Sequence, residues 1–131
     1  DHDPTQHAEE AKERWGDTDA YRQSQARTKR YTKDDWLLIQ QEGEEVESRL
    51  AELMRQGVPA TDARALEAAE AHRQLISRNF YDCGYDIHRG LAQMYLADPR
   101  FTRYYEQRAE GLARYVSEAI IANADERAPQ G

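Results

Sequence analysis

Thr32-Lys33-Asp34-Asp35-Trp36-Leu37-Leu38-Ile39-Gln40-Gln41-Glu42-Gly43-Glu44-Glu45-Val46-Glu47-Ser48-Arg49-Leu50-Ala51-Glu52-Leu53 decides the fold class. Trp36, Ile39, Gly43, Val46, Leu50 and Leu53 step by three and four, which lays one apolar stripe along one helix face. Thr32 is placed as N-cap with Asp35 three residues on, a variant of the capping box, and Asp34 and Asp35 put negative charge in the first turn. Gly57 and Pro59 end the pattern, so a helix is expected over residues 33–56.

Working outward, the same period recurs. Thr61 reads as the next N-cap, with Ala65, Ala69, His72, Ile76 and Phe80 facing inward. A third helix over residues 85–96 is expected to bury Ile87, Leu91, Met94 and Tyr95. Asp98-Pro99 caps a short element carrying Phe101, Tyr104 and Tyr105, and a last helix over residues 110–123 presents Leu112, Tyr115, Val116, Ala119 and Ile120. No useful stretch alternates with a period of two, and the interior is rich in Ala, Leu, Glu, Gln and Arg. The fold class is all-α.

The 131 residues hold one domain. Charged residues make up 33% and the mean hydropathy is -1.03, so the core is small. Trp36-Leu37-Leu38-Ile39, as long as any apolar run here, falls far short of the roughly 20 residues that span a bilayer. A net charge of -7 has the wrong sign for tracking a phosphate backbone. One cysteine allows no internal disulfide, which fits a cytoplasmic setting. The chain starts without Met and reads like a piece of something longer.

Residues 1–31 differ from the rest. Residues 7–14 can form a charged helix and Thr18 can cap another running to Arg30, but the apolar content is little beyond Trp15, Tyr21, Tyr31 and some alanines. Ordering a backbone costs roughly 1–2 kcal/mol per residue, whereas burying one aromatic returns about 2–3 kcal/mol. This segment is therefore expected to be loosely held alone and to fold against something apolar. Residues 32–124 form the helical core, and residues 125–131, with Pro129 and Gly131, an untidy tail.

The densest chemistry lies in Asn79-Phe80-Tyr81-Asp82-Cys83-Gly84-Tyr85-Asp86-Ile87-His88-Arg89-Gly90. Cys83 sits near a helix start, where an exposed thiol would be acidified, and His88 follows five residues on. Five residues along a helix is about 140° of rotation, so the two do not face each other, and no set of oxyanion donors stands nearby. A buried structural cysteine is the simpler reading, and no enzymatic activity is expected. None of the four histidines has metal-ligand spacing, so neither metal nor cofactor is expected, and His72 reads as a core histidine. Eight Tyr and two Trp against two Phe are more telling. These rings join an apolar face to one polar atom, which suits a groove for a mixed ligand, although any single tyrosine is more simply core.

Glu13-Arg14-Trp15-Gly16-Asp17-Thr18-Asp19-Ala20-Tyr21-Arg22-Gln23-Ser24, Tyr31-Thr32-Lys33-Asp34-Asp35-Trp36, His72-Arg73-Gln74, Tyr81-Asp82-Cys83-Gly84-Tyr85, Met94-Tyr95 and Ala97-Asp98-Pro99-Arg100-Phe101-Thr102 resemble the TipAS antibiotic-recognition domain, in order and spacing, over residues 8–123. That domain is the effector half of certain MerR-type transcription activators and also occurs as a free-standing drug-binding protein. The resemblance implies a globin-like helical domain without haem, a cleft for thiopeptides such as thiostrepton, and an amino-terminal segment that closes on the ligand. It further implies a DNA-binding domain and dimerising coiled coil upstream, so that this piece alone binds no nucleic acid and no membrane and is a monomer. Members can trap the antibiotic on a cysteine seven residues beyond the one matching Cys83; here that position is Gly90, which implies non-covalent binding or a weak attachment through Cys83. The expected ligand contacts are Trp15, Tyr21, Trp36, Phe80, Cys83, Tyr85, Ile87, His88, Gly90, Leu91, Met94 and Tyr95. A protein-protein module whose first segment folds on a partner is the second reading.

Overall fold

Apolar positions spaced for helices need neighbours to cover them, and six helices supply that cover. A computed structural model describes residues 18–129 as α1 (Asp19–Thr28), α2 (Lys33–Arg55), α3 (Ala63–Asn79), α4 (Tyr85–Ala97), α5 (Pro99–Glu106) and α6 (Leu112–Arg127). No strand occurs among the described residues, so the all-α expectation holds. The expected contacts of Trp15 and the expected helix over residues 7–14 lie outside the described residues. No helix among the described residues is long and apolar enough to cross a membrane.

α6 is the central element, packed against α4, α3, α5 and α2, while α2 also lies along α3. Its buried Leu112, Val116, Ala119 and Ile120 meet Leu50 and Ala51 of α2, Ala65, Ala68 and Ala69 of α3, and Ala92 and Tyr95 of α4 in one core. Alanine at so many contacts lets helix axes approach closely without leaving voids. Two buried hydroxyls tie the elements together: Ser117 Oγ donates to the Ala92 carbonyl at 2.9 Å, and Tyr115 donates to that of Val58 at 2.8 Å.

The termini of α2 are both explained locally. Thr32 and Asp35 form the reciprocal capping box that the sequence predicts. At the other end Gly57, at φ 77°, directs its N–H to the Met54 carbonyl and that of Val58 to Leu53, a Schellman closure. Three expectations need correction. Asp62, not Thr61, caps α3, because its carboxylate reaches the Arg64 N–H at 2.9 Å. α6 begins at Leu112 rather than residue 110: Gly111 adopts φ 90°, and the Glu106 carboxylate accepts from the amides of Gly111 and Ala113. It also runs past Asn123 to Arg127, where Arg89 donates to Asp125 and to the Ala128 carbonyl.

Candidate functional site

α4 carries most of the candidate positions, and its two faces separate them. His88, Arg89, Ala92 and Tyr95 point into the fold and are buried. Ile87, Gly90, Leu91 and Met94, spaced i, i+3, i+4 and i+7, share the other face. Ile87, expected to be buried, is 42% exposed, because α6 covers the opposite face of α4; Leu91 and Met94, further along this face, are partly buried against the core. Gly90 is exposed, and a Cβ built there meets nothing within 4 Å.

From Leu91 an apolar path continues across the α3-α4 junction. Leu91, Phe80 and Tyr81, all partly buried, pack on the small cluster of Leu75, Ile76 and Cys83. Phe80 then reaches Trp36 with ring centroids 6.1 Å apart, and Trp36 meets the edge of Tyr31 at 5.5 Å. Trp36 is 43% exposed, with Leu37 and Leu38 more so beside it. In a chain this polar, such a run of half-covered rings and aliphatics is the natural contact surface for a large apolar or heterocyclic partner. The groove between α2 and α3, about 490 Å³, adds charge to its lining: Glu42, Glu45, Arg49 and Arg78 stand beside Val46, Ala71, Gln74 and Leu75, and an Arg78–Glu42 ion pair at 2.6 Å bridges it.

Four expected site residues lie off this surface, within the fold. Cys83 is 1% exposed, and burial pushes its thiol up to about 11 against the opposing pull of the Arg73 guanidinium. An α4 N-terminus does not acidify a thiol enclosed in this way. His88 is fully buried and shares one proton with His72, His88 Nε2 lying 2.8 Å from His72 Nδ1 with the rings stacked. Burial holds His72 down at about 4; burial, then His72 and the Arg73 guanidinium, hold His88 down at about 3. The expectation of a core histidine at position 72 is met, its partner being His88. Tyr95 packs on Tyr105 and Phe101 in the main core. Tyr85 donates to Glu70 and lies under the Arg73 guanidinium, 4.3 Å from ring to charge.

Glu70 organises that interior. It accepts from Arg73, Gln74, Tyr85 and Asn123, joining α3, α4 and α6. Burial drives its carboxyl up, but the hydrogen bonds from Arg73, Asn123 and Gln74 outweigh it and hold the group at about 2. Arg73 passes the restraint to the Cys83 carbonyl at 2.8 Å. Cys83 and His88 are thus each engaged elsewhere, and the described residues contain no cluster of three or more metal-ligating side chains.

α1 carries Tyr21, partly buried, and lies against α3. Arg27 donates to the Ser77 carbonyl at 2.6 Å and to Asp82 at 2.8 Å, Gln23 accepts from the Asp82 N–H at 2.8 Å, and Tyr31 donates to the Asn79 carbonyl. Tyr31 and Tyr81 join the apolar surface although sequence reasoning did not select them. Each stands beside a residue it did select, within the same short motifs.

A model of the TipAS antibiotic-recognition domain matches residues 7–123. The HTH-type transcriptional activator TipA of Streptomyces coelicolor is 52% identical over 129 residues, covering 98% of this chain and 51% of that protein. The HTH-type transcriptional activator mta of Bacillus subtilis is 40% identical over 103 residues, covering 79% of this chain and 39% of its own length. The chain therefore spans about half or less of these regulators. A solved structure of TipAS from Streptomyces lividans in complex with the thiopeptide antibiotic nosiheptide superposes with a TM-score of 0.92 at 52% identity, covering 98% of this chain and 90% of the other. The antibiotic-binding domain of a TipA-class multidrug resistance transcriptional regulator gives 0.65 at 48% identity, covering 70% and 97%. With sequence, family model and fold in agreement, the chain belongs to the TipAS antibiotic-recognition domain family.

Proposed function

We propose that this chain binds thiopeptide-type antibiotics, or similarly large heterocyclic compounds, on the surface that runs from Tyr31 and Trp36 through Phe80 to Leu91, Met94 and Ile87. The observation that carries the reading is the continuity of that surface: Tyr31, Trp36 and Phe80 in successive ring contact, Phe80 and Leu91 on one small cluster, then the exposed Ile87 of α4. The segment before Tyr31, which carries Trp15 and Tyr21, closes over the ligand. Affinity then equals apolar contact less the cost of ordering the segment, and occupancy is reported by closure. In a regulator, closure signals to a DNA-binding half; in a free-standing protein it sequesters the drug. The chain acts as a cytoplasmic monomer without catalysis, and Cys83, Tyr85, His88 and Tyr95 support the surface from beneath.

Capture is non-covalent. Addition of a thiol across a dehydroalanine double bond needs a thiolate in reach; Cys83 is buried with its proton firmly held, and Gly90 has no thiol. Calorimetry with nosiheptide and thiostrepton should show binding with a large negative heat-capacity change, and no response to either would remove the reading. Intact-mass measurement after incubation with a dehydroalanine-bearing thiopeptide should show no adduct on this chain and one adduct on Gly90→Cys. The open space around Gly90 accommodates that side chain. The exposed Leu37 and Leu38 favour a second reading, in which the same closing segment folds on a protein partner.

A further inference from the structure

The carboxyl end of α3 closes without a residue in the left-handed region. α2 closes with Gly57 in the left-handed region, but the positive-φ residues among those described are Gly57 and Gly111 only, and α3 ends at Phe80 with φ -122°. The Ile76 carbonyl is satisfied by the amides of Phe80 and Tyr81. Of the later carbonyls, Ser77 is met by Arg27 and Asn79 by Tyr31, both from the chain around α1. A helix leaves its last carbonyls unpaired and its carboxyl end partially negative, which is where a guanidinium is most effective.

α1 itself has no buried residue. It is held by the polar bonds that Gln23 and Arg27 make to Ser77 and Asp82, and Tyr31, just beyond it, adds one to the Asn79 carbonyl. The geometry points to α1 as a carboxyl-terminal cap supplied to α3 from elsewhere in the chain, with Arg27 as the positioning residue that sets the Phe80-Tyr81 turn. This rests on the proposed ligand surface and deepens it: Phe80 is the ring that joins Trp36 to the Leu91 side, so docking α1 and forming the surface are one event. By reciprocity, anything that stabilises the arrangement of Phe80 favours docked α1. Arg27 contributes without touching the ligand.

The test uses the full 131-residue chain with Arg27→Gln and Arg27→Lys. Ligand-free amide exchange is expected to speed up in Arg27→Gln at residues 22–29 and, through space, about tenfold at the Phe80 and Tyr81 amides, with Val116 unchanged. Nosiheptide binding is expected to weaken about tenfold in Arg27→Gln, to lose its salt dependence, and to recover in part in Arg27→Lys, which restores charge but not the fork. Unaltered exchange at Phe80 and Tyr81 in Arg27→Gln overturns the cap. Failure of the unmutated chain to bind nosiheptide overturns the thiopeptide reading instead, while the exchange experiment still decides the cap.

Discussion

The two faces of α4 are made from one run of residues yet behave as different materials. Toward α6 the face is His88, Arg89, Ala92 and Tyr95, closed to water. Its main polar groups are engaged: Ser117 donates to Ala92, His88 pairs with His72, and Glu70 collects four donors next to Tyr85. Away from α6 the face is Ile87, Gly90, Leu91 and Met94, open or half-covered and continuous with Phe80 and Trp36. The first face is closed to solvent without a ligand, although His88 Nδ1 and Arg89 Nε find no hydrogen-bond partner among the described residues. The second exposes apolar surface whose burial is still available, and this is the free energy a captured compound can use.

That contrast is broken most sharply by truncation on each side. Leu50→Ala, at a fully buried core position, is expected to cost about 2–5 kcal/mol in denaturant unfolding and to leave nosiheptide binding intact in the folded fraction. Trp36→Ala is expected to cost only about 1 kcal/mol, because Trp36 is already 43% exposed, while weakening nosiheptide at least about tenfold. Equal losses of stability from both would erase the distinction.

Acid tests the closed side next. His72 and His88 stay neutral in the fold down to about 4 and 3, whereas unfolded imidazoles take up protons below about 6.5. With pKa depressed on folding, the stability is complete above pH 6.5 and is lost as the pH falls toward those values. The slope is about 1.4 kcal/mol per pH unit for each imidazole. Urea midpoints from pH 7.5 to 4.5 should fall accordingly, and a His72→Gln/His88→Gln double variant should flatten the slope. An equally steep slope in the variant would place the acid sensitivity elsewhere.

Two glycines give the finest comparison. Gly111, at φ 90° and beside the Met54 sulfur, is expected to lose about 1–2 kcal/mol as Ala, whereas Gly90, helical with open space around it, is expected to gain about 0.5–1 kcal/mol. Thermal unfolding of the two variants reads the signs directly. A destabilised Gly90→Ala would mean that this face is covered after all.

Much of the molecule was legible in advance because it is local. The capping box at Thr32, the stop at Gly57, the period of the stripes and the Asp98-Pro99 start of α5 depend on residues within a turn or two of one another. The family, too, was legible, since it is carried by short motifs in order. The candidate site was legible only as a list. Trp36, Phe80, Ile87, Gly90, Leu91 and Met94 fall on one surface, whereas Cys83, Tyr85, His88 and Tyr95 sink beneath it. Helical periodicity gives each residue an angle around its own axis but says nothing about which side a neighbouring helix occupies. That α6 covers the Tyr95 side of α4, that His72 Nδ1 lies 2.8 Å from His88 Nε2, and that Arg27 and Tyr31 reach the carbonyls of Ser77 and Asn79 are long-range facts. Only packing, which sets the free energy of many contacts at once, could decide them.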